Sequence, residues 1–229
     1  MESTDPPGGE MTDIAMGSAA GTEQVRIWAG LQGFVSLAAL VALVLFFTLA
    51  TPFSTPQPRW SWLGPVNDWL AVIGAVPWIV AMVLLARHLT AGPWLWALTV
   101  LACIGAAAIA IVTLLMLGGL ADLQAQTIVS VVATVVAFAW AAVAAVVARE
   151  AGVLPAWLAV LAIAITAALV ATAIAGGIGF LAPDGSALRS TLFGVAVVLG
   201  GLAWIAFPVW WLAIASNLRC EAPRDSWRA

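Results

Sequence analysis

The residues able to do chemistry in this chain are few, and they gather at the ends of apolar stretches. The one histidine, His88, stands beside Arg87, and the two cysteines, Cys103 and Cys220, are far apart. Asn67, Asp68, Asp122, Gln124, Gln126 and Asp184 lie with Arg59 and Arg189 in segments that alternate with those holding the other arginines. A single histidine cannot build a metal site unaided, and beside an arginine at a helix end it reads as a solvated interfacial residue. Cys103 falls mid-way along an apolar run and Cys220 beyond the last one, too distant for the roughly 7 Å limit on Cα separation in a disulfide. Serine and histidine nowhere combine as an intramembrane protease would need, and no glycine-rich loop ends in a lysine to hold a phosphate. No catalytic residue, metal ligand or cofactor is therefore expected, and the chain reads as a non-enzyme. Proton and ion pathways place ionisable groups inside membrane spans, whereas here none lies deeper than the helix ends. What remains is a candidate polar site at one rim, Asn67, Asp68, Asp122 and Arg189. Asp68 and Arg189 have opposite charges at the starts of two helices and could pair where the dielectric is low. The same residues could equally line a shallow vestibule or satisfy helix ends and water.

The elements that carry these residues follow from composition. Hydrophobic residues make up 64% and charged ones 8% of the 229, whereas a soluble domain is roughly 45 to 50% apolar and about 25% charged. There is too little polar surface to dissolve such a chain. Six apolar runs, at 29–50, 69–86, 93–118, 127–148, 155–178 and 190–215, approach the roughly 17 to 25 residues with which a helix crosses a bilayer. Only helices and closed barrels satisfy their own backbone there, and continuous runs without period-two alternation exclude a barrel. The fold class is thus all-α: a polytopic membrane protein with a six-transmembrane-helix bundle over 26–218. The second run is short, with Trp69 and Arg87 placed to extend it into the interface. Residues 1–25 are rich in Pro, Gly, Ser, Thr and acids and read as a disordered acidic tail; 219–229 form a second short tail. The first run is too long, and its flank too acidic, for a signal peptide. The net charge of −3 comes largely from that N-terminal tail.

Orientation follows from the arginines. If the N-terminus is cytoplasmic, Arg26, Arg87, Arg149, Arg219, Arg224 and Arg228 lie inside and only Arg59 and Arg189 outside, the bias the positive-inside rule describes. The expected location is the plasma membrane, in an N-in/C-in arrangement, with both termini cytoplasmic.

Local signals refine the helices. Pro93 and Pro155 suit first turns, where the missing N–H has no helical partner. Gly64 and Pro65 read as a turn, with Asn67 and Asp68 as N-cap candidates for the second helix. Pro77 and Pro208 lie inside spans and predict kinks. Small residues recur every four positions at Ala102, Ala106 and Ala110, at Ala133, Ala137, Ala141 and Ala145, and at Ala164, Ala168, Thr172 and Gly176. Such stripes let membrane helices approach closely, so the third, fourth and fifth helices are expected to form the tight core. Trp78, Trp140 and Trp210 each precede an arginine by nine positions, and Pro93 and Pro155 follow at equal offsets. Three hairpins about an axis along the membrane normal would produce this pattern; so would chance in a chain with 13 tryptophans. Trp28, Trp60, Trp62, Trp94, Trp96 and Trp157 suit interfacial anchors.

The stretch from Trp62 to Asp68, with Gly64, Asn67 and Asp68 in a Gly-x-x-Asn-Asp run, resembles the start of the second helix in uncharacterised bacterial six-helix integral membrane proteins. That resemblance implies the six-span layout and no more, since such a family has no established activity to carry over. The function expected from the sequence is an accessory or assembly role through helix contacts, or alternatively a small transporter or channel for an apolar or neutral solute. The partners expected are the lipid bilayer and other membrane proteins or a second copy, with no nucleic acid.

Overall fold

Helix is the backbone's own solution to life in hydrocarbon, and each apolar run adopts it. The computed structural model describes the backbone of residues 8–50 and 57–219 and the side chains of 20–50 and 57–219. The helices are α1 (Gly8–Leu45), α2 (Leu63–His88), α3 (Pro93–Leu117), α4 (Leu123–Glu150), α5 (Ala156–Leu181) and α6 (Ala187–Asn217). A π-helical turn, Phe46–Ala50, continues α1, and a 3-10 turn, Pro58–Trp60, leads into α2. All six helices are long and apolar enough to cross a membrane, so the chain is a multi-pass membrane protein and an all-α six-helix bundle.

Consecutive helices pack side by side and α6 returns to α1, which closes a ring; the most extensive contacts are within the hairpins α1–α2, α5–α6 and α3–α4. Small residues set these distances. A Cβ on Gly33 of α1 would lie 2.6 Å from Cγ of Leu212 on α6, and one on Gly105 of α3 would lie 3.2 Å from Cβ of Ala133 on α4. Close backbone approach of this kind maximises van der Waals contact where lipid offers no hydrophobic drive. Arg26, Arg87, Arg149 and Arg219 mark one end of the ring, Arg59 and Arg189 the other. At the arginine-rich end the Arg26 guanidinium donates from Nη2 to the Leu218 carbonyl at 2.6 Å, and the Arg219 N–H donates to the Val153 carbonyl at 3.1 Å. These bonds fasten α1, the end of α6 and the α4–α5 turn together.

Several expectations are corrected. The tail expected to be disordered through residue 25 is helical from Gly8, and Val25 is part of the core; residues 1–7 lie outside the described residues. Propagating an existing helix fixes one residue per hydrogen bond, whereas starting one is costly, so α1 extends backward from its span. The second span is not short, because α2 begins at Leu63 with Pro65 in its first turn, where a proline forfeits no helical bond. Asn67 and Asp68 therefore lie in the second turn and do not cap α2; its N-cap is Trp62, without a side-chain bond. On α5 the buried face is Leu158, Ala162, Ile165 and Leu169, while Ala164 of the expected stripe is exposed. Stripe membership alone does not choose a face in so alanine-rich a helix. Cys103 is half-buried, on a shallow groove between α2 and α3, and Cys220 lies outside the described residues. His88 is half-buried, with Nε2 shielded and without a hydrogen-bond partner.

Two of the three tryptophans in the tryptophan–arginine spacing make matching bonds. Trp78, Trp140 and Trp210 are all buried in the core. Trp140 Nε1 donates to Thr99 Oγ1 at 2.9 Å and Trp210 Nε1 to the Leu158 carbonyl at 3.2 Å, each reaching from an even helix to the helix before it. The turns after α2, α3 and α4 share one form, so it is not particular to the even helices. Ala91 N bonds the Ala86 carbonyl and Val153 N the Ala148 carbonyl, with Thr90 (φ 45°) and Gly152 (φ 72°) at the same offset in the left-handed region. This is the helix-ending motif in which a left-handed residue turns N–H groups back onto the last carbonyls.

Candidate functional site

The interior of the ring is filled unevenly. Toward the arginine-rich end Phe207 is the hub of an aromatic plug. Its ring centroid lies 4.6 Å from that of Phe138, 5.2 Å from Trp78 and 6.3 Å from Trp211, and Trp211 stacks on Trp140 at 6.1 Å. On the other side of Phe207 the walls carry small residues, Ser36 and Ala39 on α1, Ala71 and Gly74 on α2 and Ser130 on α4, which cannot fill the centre. A cavity of about 210 Å³ results.

Seven polar side chains line it: Gln32, Ser36, Asn67, Asp68, Gln126, Ser130 and Thr134. Asn67, Asp68 and Gln126 are half-exposed at the arginine-poor end, while Gln32 is 2% and Thr134 5% exposed deeper in. The spacing of Gln126, Ser130 and Thr134 puts them on one face of α4, over a depth of about 12 Å at about 1.5 Å per residue. Gln32 donates from Nε2 to Ser36 Oγ at 3.0 Å, but its Oε1 and the Ser130 hydroxyl are buried without a partner. Burying such groups unpaired costs about 1 to 3 kcal/mol each. Gly74 makes room for them, since a Cβ there would lie 3.1 Å from Val35 Cγ1 and 4.0 Å from Gln32 Oε1. Pro208, on the cavity wall with Trp204, deprives the Trp204 carbonyl of its helical donor. The site is thus rich in acceptors, and no arginine or histidine lines it.

Of the residues marked in the sequence, Asn67 and Asp68 are brought together here, 3.5 Å apart from amide nitrogen to carboxylate. Asp122 is not in the site. It is the N-cap of α4, accepting from Ala125 N at 2.7 Å. Arg189 does not pair with Asp68; it pairs with Asp184 in the preceding loop and lies over the Phe193 ring at 5.6 Å. A partner five positions away closes a short loop at little entropic cost, and in the ring α1 stands between α2 and α6. Gln124 is exposed, whereas Gln126 belongs to the site. The residues that sequence reasoning passed over are Gln32, Ser36, Ser130 and Thr134. Their signal was present, because Gln32 is the one amide inside an expected span and both Gln32/Ser36 and Gln126/Ser130/Thr134 repeat at four residues.

Set against protein-family models, curated proteins and solved structures, the chain matches none of them. The arrangement itself therefore carries the argument. Among the described residues no three His, Cys, Asp or Glu side chains gather as a metal site would require. The cavity presents hydroxyls, amides and a carboxylate, all groups that can form hydrogen bonds.

Proposed function

We propose that this chain is a non-enzymatic small-solute carrier of the plasma membrane, with both termini cytoplasmic, that admits a small hydrogen-bonding solute from the arginine-poor side. The observation that carries this reading is the polar-lined cavity, with Gln32 Oε1 and Ser130 Oγ buried and unpartnered inside an otherwise apolar ring. Ligand pockets are concave, mostly apolar and furnished with a few convergent polar groups, and this one fits that description. The aromatic plug at Phe207 supplies a barrier toward the other side, and Pro208 lies on the wall beside it. Arginine placement supports the orientation. Such a cavity favours the carrier over a purely accessory role, which needs no polar interior.

The test is flux of a panel of small polar solutes into proteoliposomes, together with thiol labelling in a background carrying Cys103→Ser and Cys220→Ser. Ser130→Cys should react with a small hydrophilic reagent applied from outside intact cells, and Ala151→Cys, part-exposed in the turn at the arginine-rich end beyond the plug, should not. Flux of at least one solute, lost on Ser130→Val, supports the carrier. Absence of flux for every solute, with a stable membrane partner co-purifying, would return the chain to an accessory role.

A further inference from the structure

Asp68 is the one ionisable group on the cavity wall. Among the described residues it has no ion-pair partner, because Arg189 is held by Asp184 and Arg59 lies 5.3 Å from the Trp60 ring centre. Its hydrogen bond from the Asn67 amide is long, at 3.5 Å. Deeper in, Gln32 presents an acceptor that is buried and unpartnered, in a side chain 2% exposed. A carboxylate at the mouth and an amide oxygen further down the same wall call for a molecule with a positive, donor-bearing head and a second donor at its far end.

We infer that the solute is a small monovalent organic cation: an ammonium compound whose head pairs with Asp68 and whose distal hydroxyl or amide N–H reaches Gln32 Oε1. This rests on the carrier reading above and names the substrate class of the same cavity. Three features select it. The lining offers carboxylate and amide acceptors and no basic side chain, so it opposes anions. A carboxylate at the edge of a low-dielectric region attracts a cation more strongly than it would in water. Length is also limited. Gly74, against which Gln32 Oε1 lies, is six residues from Asp68, about 9 Å along the helix at about 1.5 Å per residue, and Trp78 and Phe207 close the cavity beyond. A volume of about 210 Å³ is the share of roughly seven water molecules at about 30 Å³ each, which suits a short aliphatic chain and excludes a bulky one.

The experiment measures equilibrium binding to the full-length protein of linear amino alcohols of about three to seven carbons, the range a gap of this size allows at roughly 1.2 Å per bond. Diols of the same lengths serve as neutral counterparts. At least one amino alcohol should bind about tenfold or more tightly than its diol. Asp68→Asn should remove that difference while leaving diol binding in place, Gln32→Leu should weaken both series, and Asp184→Asn, which alters charge at the same end outside the cavity, should change neither. If diols bind as well as amino alcohols, or Asp68→Asn leaves the preference intact, the cation assignment is overturned while the carrier reading stands. If other solutes are carried but no amino alcohol binds, the assignment is likewise overturned. Absence of all binding and all flux removes both.

Discussion

Thr90 has φ 45°, the one positive value outside glycine among the described residues, at a position whose counterpart after α4 is Gly152. A side chain in the left-handed region costs on the order of 1 kcal/mol. Thr90→Gly should therefore raise the stability of the detergent-solubilised protein by about 0.5 to 1 kcal/mol, and Gly152→Ala should lower it by a similar amount, both read as midpoint shifts in thermal unfolding. If Thr90→Gly destabilises instead, the equivalence of the two turns fails. Thr99 offers a second residue-scale test. Its buried hydroxyl donates to the Leu95 carbonyl at 2.7 Å and accepts from Trp140 Nε1. Thr99→Val leaves the indole N–H unsatisfied in the core, at a cost of about 1 to 3 kcal/mol. In a double-mutant cycle Trp140→Phe should cost less in the Thr99→Val background than in the wild type, because the partner has already gone.

At the scale of the element, some helix pairs are spaced by glycines that face a neighbouring helix, Gly33 and Gly105 among them, while others such as Gly201 face open space. Gly33→Ala brings a Cβ within 3.0 Å of the Leu212 backbone nitrogen, which no rotamer change relieves. It should destabilise the α1–α6 seam by about 1 to 3 kcal/mol, whereas Gly201→Ala, with nothing within 4 Å, should be neutral or gain slightly from helix propensity. Equal melting of the two variants would mean that α1 and α6 are not in contact at this seam. The same scale explains what the sequence could and could not reveal about helix ends. Pro93 begins α3 where its chemistry says it should, and Asp122 caps α4. Asn67 and Asp68 read as caps because Gly64 and Pro65 precede them, yet a proline in a first turn is as compatible with helix as one before it, and the Phe46 ring lies so near Gly64 that a Cβ there would come within 3.1 Å of it.

For the molecule as a whole, the ring divides into a cavity and a plug, and Phe207 is the residue on which that division turns. Phe207→Ala removes the hub that touches Trp78, Phe138, Trp204 and Trp211. Truncation of a buried phenylalanine costs about 3 to 5 kcal/mol, so the variant should melt earlier; where it still folds, passive leak of small polar solutes across proteoliposomes should exceed that of the wild type. A folded variant without added leak would separate the plug from the permeation path.

The residues by themselves determined the number of spans and the all-α class, because backbone satisfaction in hydrocarbon leaves a chain of this composition no other solution. They also marked Asn67, Asp68 and Gln126 as rim residues, since polar side chains stand out against apolar runs. Only the tertiary structure decided that Asp122 caps a helix and Arg189 binds Asp184, while Gln32, Ser130 and Thr134 share a cavity with Asp68. Hydropathy averages over all faces of a helix, and which face turns inward depends on how six helices close into a ring, a property of no single helix.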